Sequence, residues 1–286
     1  MGSVSLGDYS QIQTLNRPIC KIMKRIILCL ALSLTGTLCA EVTLVSEGFG
    51  GLFADDLGGT SADVFSSSIV DVGGSPVWSA STEFQADGTV DRFSSHGSAL
   101  LDVGTYINDL KGDASAIFEL EMTATLVNEF NSISTSDMIS LGFYSAGITT
   151  GETFYSQNEG MGTIAFREYD SDSSDIYGIA GATDAYNVSD YAAVGVSTTL
   201  KLILDLTTYD GSTDFGSIAY YVNGSEIGSI ALDSAGDFSY IGFSNANRGG
   251  GSVSDFSFVQ IPEPRAYALM AGMLGLSYVM LRRRKV

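Results

Sequence analysis

The sequence predicts an all-β protein, a two-sheet β-sandwich, and three observations support this class. Apolar and polar residues alternate with period two along Ala116–Leu126, which places one side of a strand in a core and the other in water. Asn223-Gly224 lies between two further strand-like runs and favours the type I′ turn of a β-hairpin. Glycine and serine clusters separate the runs, Pro76 is the only proline between residues 41 and 261, and no long helical pattern occurs.

The strands follow from the same alternation along the chain. In the first run Phe118, Leu120 and Met122 alternate with Glu119 and Glu121. A helical turn is predicted near 99–110. The predicted strands cover 116–126, 138–144, 163–168, 200–206, 217–222, 225–232, 238–244 and 253–260. Short strands at such intervals in one domain are typical of a two-sheet sandwich or jelly roll.

The segment Leu200–Val259 resembles the second half of concanavalin-like (laminin-G-like) jelly rolls. The resemblance is carried by the turn sequence 220–224 (Tyr-Tyr-Val-Asn-Gly), the strand sequence 241–243 (Ile-Gly-Phe) and the closing sequence 255–258 (Asp-Phe-Ser-Phe). It implies a concanavalin-like jelly roll, a fold that includes glycosidases, and it raises the possibility of glycan binding by analogy of fold.

The first 40 residues carry an export signal. Lys24-Arg25 precedes the apolar run 26–34, and small residues lead to Ala40, the order of parts in a secretory signal peptide. Cleavage after Ala40 would make Glu41 the first residue of the mature chain. Residues 1–22 are polar and lack signal character, so Met23 is the predicted true start. The alternative is that these residues form a longer n-region of the same signal peptide.

The last 25 residues combine a proline motif, an apolar run and a basic end. Pro262, Glu263 and Pro264 form an extended joint, because proline can neither continue a helix nor donate to a strand. The run 266–281 predicts a short transmembrane helix. The four basic residues after it should stay cytoplasmic as a membrane stop; they are Arg282, Arg283, Arg284 and Lys285. The predicted divisions are therefore 1–40, the β-sandwich 41–260, and the tail 261–286.

This order of parts resembles the PEP-CTERM sorting signal of exported proteins in Gram-negative bacteria. The resemblance covers about a tenth of the chain and implies recognition at 262–264 by an exosortase-type membrane enzyme, often in bacteria that produce exopolysaccharide. The Sec translocon and signal peptidase would be the earlier partners. A plain C-terminal anchor with a proline-rich spacer is the alternative. The implied location is transient anchoring in the inner membrane, followed by the cell surface or the extracellular matrix.

Composition argues against cysteine-based sites and against nucleic-acid binding. The three cysteines, Cys20, Cys29 and Cys39, all precede residue 41, so the mature chain has neither disulfides nor thiolate metal sites. Of 33 acidic residues only Asp8 and Glu263 lie outside 41–261, whereas that range holds five basic residues, a net charge of −26. Such a domain repels phosphate backbones, which argues against nucleic-acid binding.

The candidate catalytic residues form no complete site. His96 is the single histidine, which does not suit zinc or a serine–histidine dyad. Glu119 and Glu121 point the same way from one strand, about 6.5–7 Å apart, within the range that glycoside hydrolysis uses. However, the laminarinase-type signature Glu-x-Asp-x-x-Glu is incomplete, because Glu121 replaces the aspartate and the last acid is missing. We therefore interpret the pair as a solvated strand face.

Two weaker predictions concern binding. Asp170, Asp172 and Asp175 could supply oxygen ligands to Ca²⁺, although the pattern is not that of an EF-hand; a solvated loop is the alternative. Aromatic rings could contact a glycan. For Trp78, the only tryptophan, the alternative to glycan contact is a place in the core. The other candidates are the tyrosines Tyr144, Tyr155, Tyr169, Tyr177 and Tyr186, of which Tyr169 and Tyr177 are preferred.

The resulting expectation is a non-enzymatic, exported protein of the cell surface or extracellular matrix that binds polysaccharide and needs no cofactor. Two alternatives stay open. One is a glycan-cleaving enzyme of concanavalin-like fold, and the other is a structural or adhesion protein with a calcium-stabilised loop.

Overall fold

A computed structural model describes most of the chain between Glu41 and Ile261. Its gaps are 52–54, 91–96, 128–137, 146–159, 169–172, 181–182, 194 and 247–249. Glu41–Ile261 form one compact unit. A second unit comprises Met1–Ala40 with Pro262–Val286, of which only Gly275 and Ser277 are described, both in helical conformation.

The described elements are nearly all strands, with two helices of one turn each. In chain order they are β1 (Val42–Glu47), β2 (Val64–Phe65), α1 (Ser67–Val70), β3 (Ser75–Ala80), β4 (Thr89–Val90), β5 (Gly97–Asp102), α2 (Tyr106–Asp109), β6 (Ile117–Val127), β7 (Met138–Tyr144), β8 (Gly160–Glu168), β9 (Ser173–Ala180), β10 (Thr183–Ala193), β11 (Thr198–Asp205), β12 (Ser217–Val222), β13 (Ser225–Ala231), β14 (Tyr240–Ala246) and β15 (Gly250–Gln260).

The strands form two sheets. The first sheet has the order β13-β12-β11-β6-β15-β1-β2, with β4 paired to β15, and the second has the order β10-β9-β8-β7-β14-β5-β3. Neighbouring strands run antiparallel, as in β6 with β11 and β7 with β14. One core of buried side chains contains residues of both sheets. The predicted class, an all-β two-sheet sandwich, is confirmed.

Alternation along each central strand explains why the core forms between the sheets. In β6 the buried residues include Phe118, Leu120 and Met122, and every second residue is partly exposed. Leu202 lies opposite Leu120 on the neighbouring strand β11 and is buried as well. The second sheet contributes buried residues of the same kind, among them Leu141. The first sheet therefore keeps one apolar face inside and leaves the other face mainly to polar side chains.

The predicted hairpin is confirmed in detail. β12 and β13 are antiparallel neighbours joined at Asn223-Gly224. The φ angles are 49° at Asn223 and 77° at Gly224, which is the left-handed pair that a type I′ turn requires.

The predicted helical turn at 99–110 was wrong over its first part. β5 occupies Gly97–Asp102, and the helical turn α2 is confined to Tyr106–Asp109. β5 was missed because it is buried on both faces: Leu101 joins the main core and Leu100 packs with Tyr144 and Tyr240 on the other side. Burial on both faces removes the period-two alternation that identifies a half-exposed strand.

Candidate functional site

A row of polar side chains crosses four strands on the outer face of the first sheet. Strand register brings Glu121 of β6 opposite Lys201 of β11, Lys201 opposite Tyr221 of β12, and Tyr221 opposite Glu226 of β13. These four residues are called the polar row below. Adjacent strands lie about 4.8 Å apart, so the row extends over about 14 Å of surface.

A β-bulge determines the last member of the row. The pairing of β12 with β13 shifts between Tyr220 and Tyr221, so that Tyr220 faces Gly228 whereas Tyr221 faces Glu226. With an unbroken register Glu226 would pair with Val222, whose side chain is buried in the core. The extra residue therefore turns the Glu226 carboxylate to the outer face.

Lys201 holds two carboxylates at once. Its Nζ donates to Glu119 Oε1 at 3.0 Å and lies 2.9 Å from Glu121 Oε2. The three side chains are partly exposed, at 22% for Lys201, 18% for Glu119 and 32% for Glu121. Partial burial acts to lower the pKa of Lys201, but the hydrogen bonds to Glu121 and Glu119 outweigh it, and the pKa is raised.

The far end of the row is also hydrogen-bonded. The Tyr221 hydroxyl donates to Glu226 Oε2 at 3.0 Å, and desolvation together with this bond raises the pKa of Tyr221. One level along the strands, the hydroxyls of Thr123 and Thr199 lie 3.2 Å apart. The face thus presents carboxylates, an ammonium and hydroxyls held in fixed positions, with the partly exposed Tyr221 ring among them.

This geometry is poorly suited to glycoside hydrolysis. A pair of catalytic carboxyl groups must have the glycosidic bond or a water between them. Here the ammonium of Lys201 lies between Glu119 and Glu121 and bonds to both. The interpretation of the two glutamates as a strand face matches their position on β6.

Trp78 is a core residue, so its predicted contact with a glycan is wrong. Only 1% of its surface is exposed. Its indole Nε1–H donates to Glu47 Oε2 at 3.3 Å, and its ring centroid lies 5.4 Å from Phe243 and 5.3 Å from Phe256. Tyr144 is likewise fully buried and does not offer a surface ring. Sequence alone did not show this, because Trp78 lies on the short strand β3, in a six-residue run that also contains Pro76 and two serines and shows little apolar alternation.

The segment proposed for calcium lies mostly outside the described residues. Asp170, Asp172 and Tyr169 are not described. Asp175 belongs to β9 rather than to a loop, and its backbone pairs with Arg167 of β8. Tyr177 is also part of β9, opposite Ala165. Calcium binding stays a prediction.

Other aspartates are engaged by their own loops. Asp210 Oδ1 accepts backbone N–H bonds from Ser212 at 2.8 Å, Thr213 at 2.7 Å and Asp214 at 3.0 Å. These bonds hold the pKa of Asp210 far below its ordinary value. Among the described residues, no group of three or more His, Cys, Asp or Glu side chains is arranged to hold a metal ion.

The two ends of the chain leave several predictions untested. Glu41 is the first described residue, and it is exposed. Ala40, the proline motif 262–264, the basic residues 282–285 and His96 lie outside the described residues, as does the 266–281 run apart from Gly275 and Ser277. Within the part of the chain that is described, no helix is both long and apolar enough to span a membrane.

The fold places the chain among two-sheet β-sandwich proteins, and its backbone is similar in part to those of several solved structures. No protein-family model matches the chain, and no curated protein matches it. Basic winged bean lectin is 15% identical, over 60% of this chain and 83% of the lectin, with a TM-score of 0.39. A seed lectin of Lotus tetragonolobus is 15% identical, over 66% of this chain and 94% of the lectin, with a TM-score of 0.40.

A carbohydrate esterase of the Shiga toxin-encoding bacteriophage phi24B is similar over a larger part of the chain. It is 11% identical and covers 78% of this chain and 98% of its own, with a TM-score of 0.42.

Proposed function

We propose that this protein is exported to the cell surface or the extracellular matrix, where its β-sandwich binds polysaccharide without cleaving it. The observation that carries the binding proposal is the polar row with its neighbouring threonines. Sugars are recognised by fixed hydrogen-bonding groups combined with an aromatic surface. The row supplies both, and strands are a more rigid support for such groups than loops are.

The position of Lys201 supports a binding function over hydrolysis. Its ammonium lies between the two carboxylates that would otherwise be candidates for catalysis. Release of reducing ends from a polysaccharide by the wild-type protein, abolished in Glu119→Gln, would overturn the non-enzymatic part of the proposal.

Binding is tested on a glycan array with the full-length chain in a nonionic detergent. We expect at least one polysaccharide class to bind, and Tyr221→Ala to weaken that binding by about tenfold, the effect of losing one well-placed aromatic contact. Tyr221→Phe is the matched variant: it keeps the ring and removes only the hydroxyl, so it should lose less. An array without a hit would leave a structural or adhesion role instead.

Export and sorting rest on the two terminal signals in the sequence. We propose that signal peptidase cuts after Ala40 and that an exosortase-type enzyme processes the chain at or near 262–264. The intact mass of the protein from cells and medium tests this directly. A mature form from Glu41 to about Pro264 is expected, whereas a form that keeps Arg282–Lys285 would indicate a permanent anchor and contradict release to the matrix.

A further inference from the structure

We propose that the polysaccharide bound at the polar row carries positively charged amino groups, as in a polymer of de-N-acetylated amino sugars. This inference rests on the proposed function and specifies its ligand. It assigns one class of ligand, a cationic polysaccharide, to the outer face of the first sheet because the charges are complementary.

The first argument is the charge of the face itself. The polar row and Glu119 together carry three carboxylates and one ammonium. Other acids on the strands of this sheet, Asp205 and Asp255, add to the negative charge. Lys201 is the one basic residue on strands β6, β11, β12, β13 and β15. A polymer of uronic acids would therefore meet a surface of its own sign.

The second argument is that the single cation is already bound. Lys201 Nζ contacts a carboxylate oxygen of Glu119 at 3.0 Å and of Glu121 at 2.9 Å. An acidic sugar would have to compete with both of these contacts for the ammonium. The Glu226 carboxylate, by contrast, is exposed, and it accepts only one described hydrogen bond, from Tyr221.

The third argument is the spacing of the acids. Glu121 and Glu226 stand on strands three positions apart, so their backbones are separated by about 14 Å. A glycan lying across the strands would place successive sugars along the row between them, passing over the ring of Tyr221, which lies one strand from Glu226. Amino groups on those sugars would reach the carboxylates while their hydroxyls face the threonines Thr123 and Thr199.

The whole domain strengthens the same preference. The range 41–261 has a net charge of −26. Such a field attracts polycations and slows the approach of polyanions, and the effect weakens as salt rises. Specific binding must therefore be separated from this general attraction by variants of the row.

The test compares three hexasaccharides by calorimetry with the full-length chain in a nonionic detergent, below the pKa of the sugar amine. They are a glucosamine hexamer, an N-acetylglucosamine hexamer and a galacturonate hexamer. We expect the glucosamine hexamer to bind most tightly, with an affinity that falls between about 0.05 and 0.3 M salt. Equal or tighter binding of either other hexamer would overturn the charge class, although polysaccharide binding would stand.

The two variants of the polar row should change the affinity for the glucosamine hexamer in opposite directions. Glu226→Gln removes an exposed acid and should weaken glucosamine-hexamer binding about two- to fivefold, the range of one exposed ion pair. Lys201→Met releases two carboxylates and should tighten that binding. Asp71→Asn is the matched control and should have no effect, because Asp71 is an exposed acid directly after α1 and outside the polar row.

The outcomes separate this inference from the proposed function. Equal weakening by Glu226→Gln and Asp71→Asn would show general attraction only and overturn the site. Weaker binding in folded Lys201→Met would overturn the role given to the carboxylates. If the glucosamine hexamer did not bind although the glycan array gave a hit, only the amino-sugar class would be rejected and polysaccharide binding would stand. A negative array would reject both proposals, and any binding of the glucosamine hexamer would then count as general attraction.

Discussion

Trp78 illustrates how one buried contact determines the role of an aromatic side chain. Its indole N–H bonds to the carboxylate of Glu47, itself only 6% exposed, and its ring packs among Phe243 and Phe256. Glu47 also accepts the backbone N–H of Phe49 at 2.8 Å, and Phe49 has a φ of 50°. The carboxylate thus connects a left-handed turn to the core.

Trp78→Ala should therefore affect stability and not recognition. We expect the free energy of unfolding to fall by about 3–5 kcal/mol, the usual cost of removing a large buried aromatic side chain. Urea unfolding followed by circular dichroism measures this. Loss of glycan binding at unchanged stability would show that the ring works at the surface after all.

Tyr220, next to the polar row in sequence, is a second residue whose burial has consequences. Its side chain is fully buried between the sheets, and its hydroxyl has no hydrogen-bond partner among the described residues. Burial raises the pKa of Tyr220. The folded state therefore holds this proton more tightly than the unfolded state does.

Tyr220→Phe should be neutral or stabilising by about 1 kcal/mol at neutral pH, because it removes an unpaired buried hydroxyl. Stability of the wild type should fall as pH rises through the unfolded-state tyrosine pKa of about 10, and the variant should lose less there. Urea unfolding at several pH values measures both effects. Tyr221→Phe, which breaks a hydrogen bond to Glu226, should not stabilise. Clear destabilisation by Tyr220→Phe at neutral pH would contradict the absence of a partner.

At the scale of elements, the β12–β13 hairpin combines a local signal with a tertiary one. The Asn223-Gly224 turn is local, since it depends on two residues that tolerate positive φ. The bulge opposite Tyr221 is not, since it follows from the burial of Val222 and Ile227 against the core. The two features together place Glu226 at the end of the polar row.

A comparison of Gly224→Ala with Gly50→Ala separates the effect of backbone conformation on stability from the effect of packing. A Cβ added at either glycine would meet nothing within 4 Å, but only Gly224 has a positive φ, of 77°. We expect Gly224→Ala to lower the free energy of unfolding by about 1 kcal/mol. Gly50→Ala should raise it by about 0.4–1 kcal/mol through the unfolded state. Chemical denaturation of both variants measures the two changes in the free energy of unfolding. If the two changes had the same sign, the argument from the positive φ of Gly224 would be refuted.

At the scale of the whole molecule, net charge is the dominant electrostatic feature. The range 41–261 has a net charge of −26, and the described ion pairs are those of Lys201. Self-repulsion of this kind destabilises a compact state, and salt screens it.

The melting temperature should therefore rise between about 0.01 and 0.3 M NaCl, where the Debye length falls well below the size of the domain. Thermal scans at both salt concentrations measure the shift, and sucrose of equal osmolarity is the control for general solvent effects. A melting temperature that falls with salt would mean that the ion pairs of Lys201 outweigh the repulsion.

The sequence by itself determined what depends on neighbouring residues. Alternation along Phe118–Leu126 and Leu200–Leu206 identified β6 and β11 and their buried faces, because a strand turns every second side chain to the same side. The hairpin at Asn223-Gly224 was equally local. Strands without alternation, such as β5, were missed, since burial on both faces leaves no periodic signal.

Only the tertiary structure decided which side chains meet. Lys201 and Glu119 are 82 residues apart in sequence, and the register of β11 against β6 brings them together. Trp78 bonds to Glu47, 31 residues away, and so lies in the core rather than on the surface. Glu226 faces outward because of one extra residue in its pairing. The physical reason is common to all three: alternation assigns a residue to a face, but strand order and register between distant segments determine its neighbours on that face.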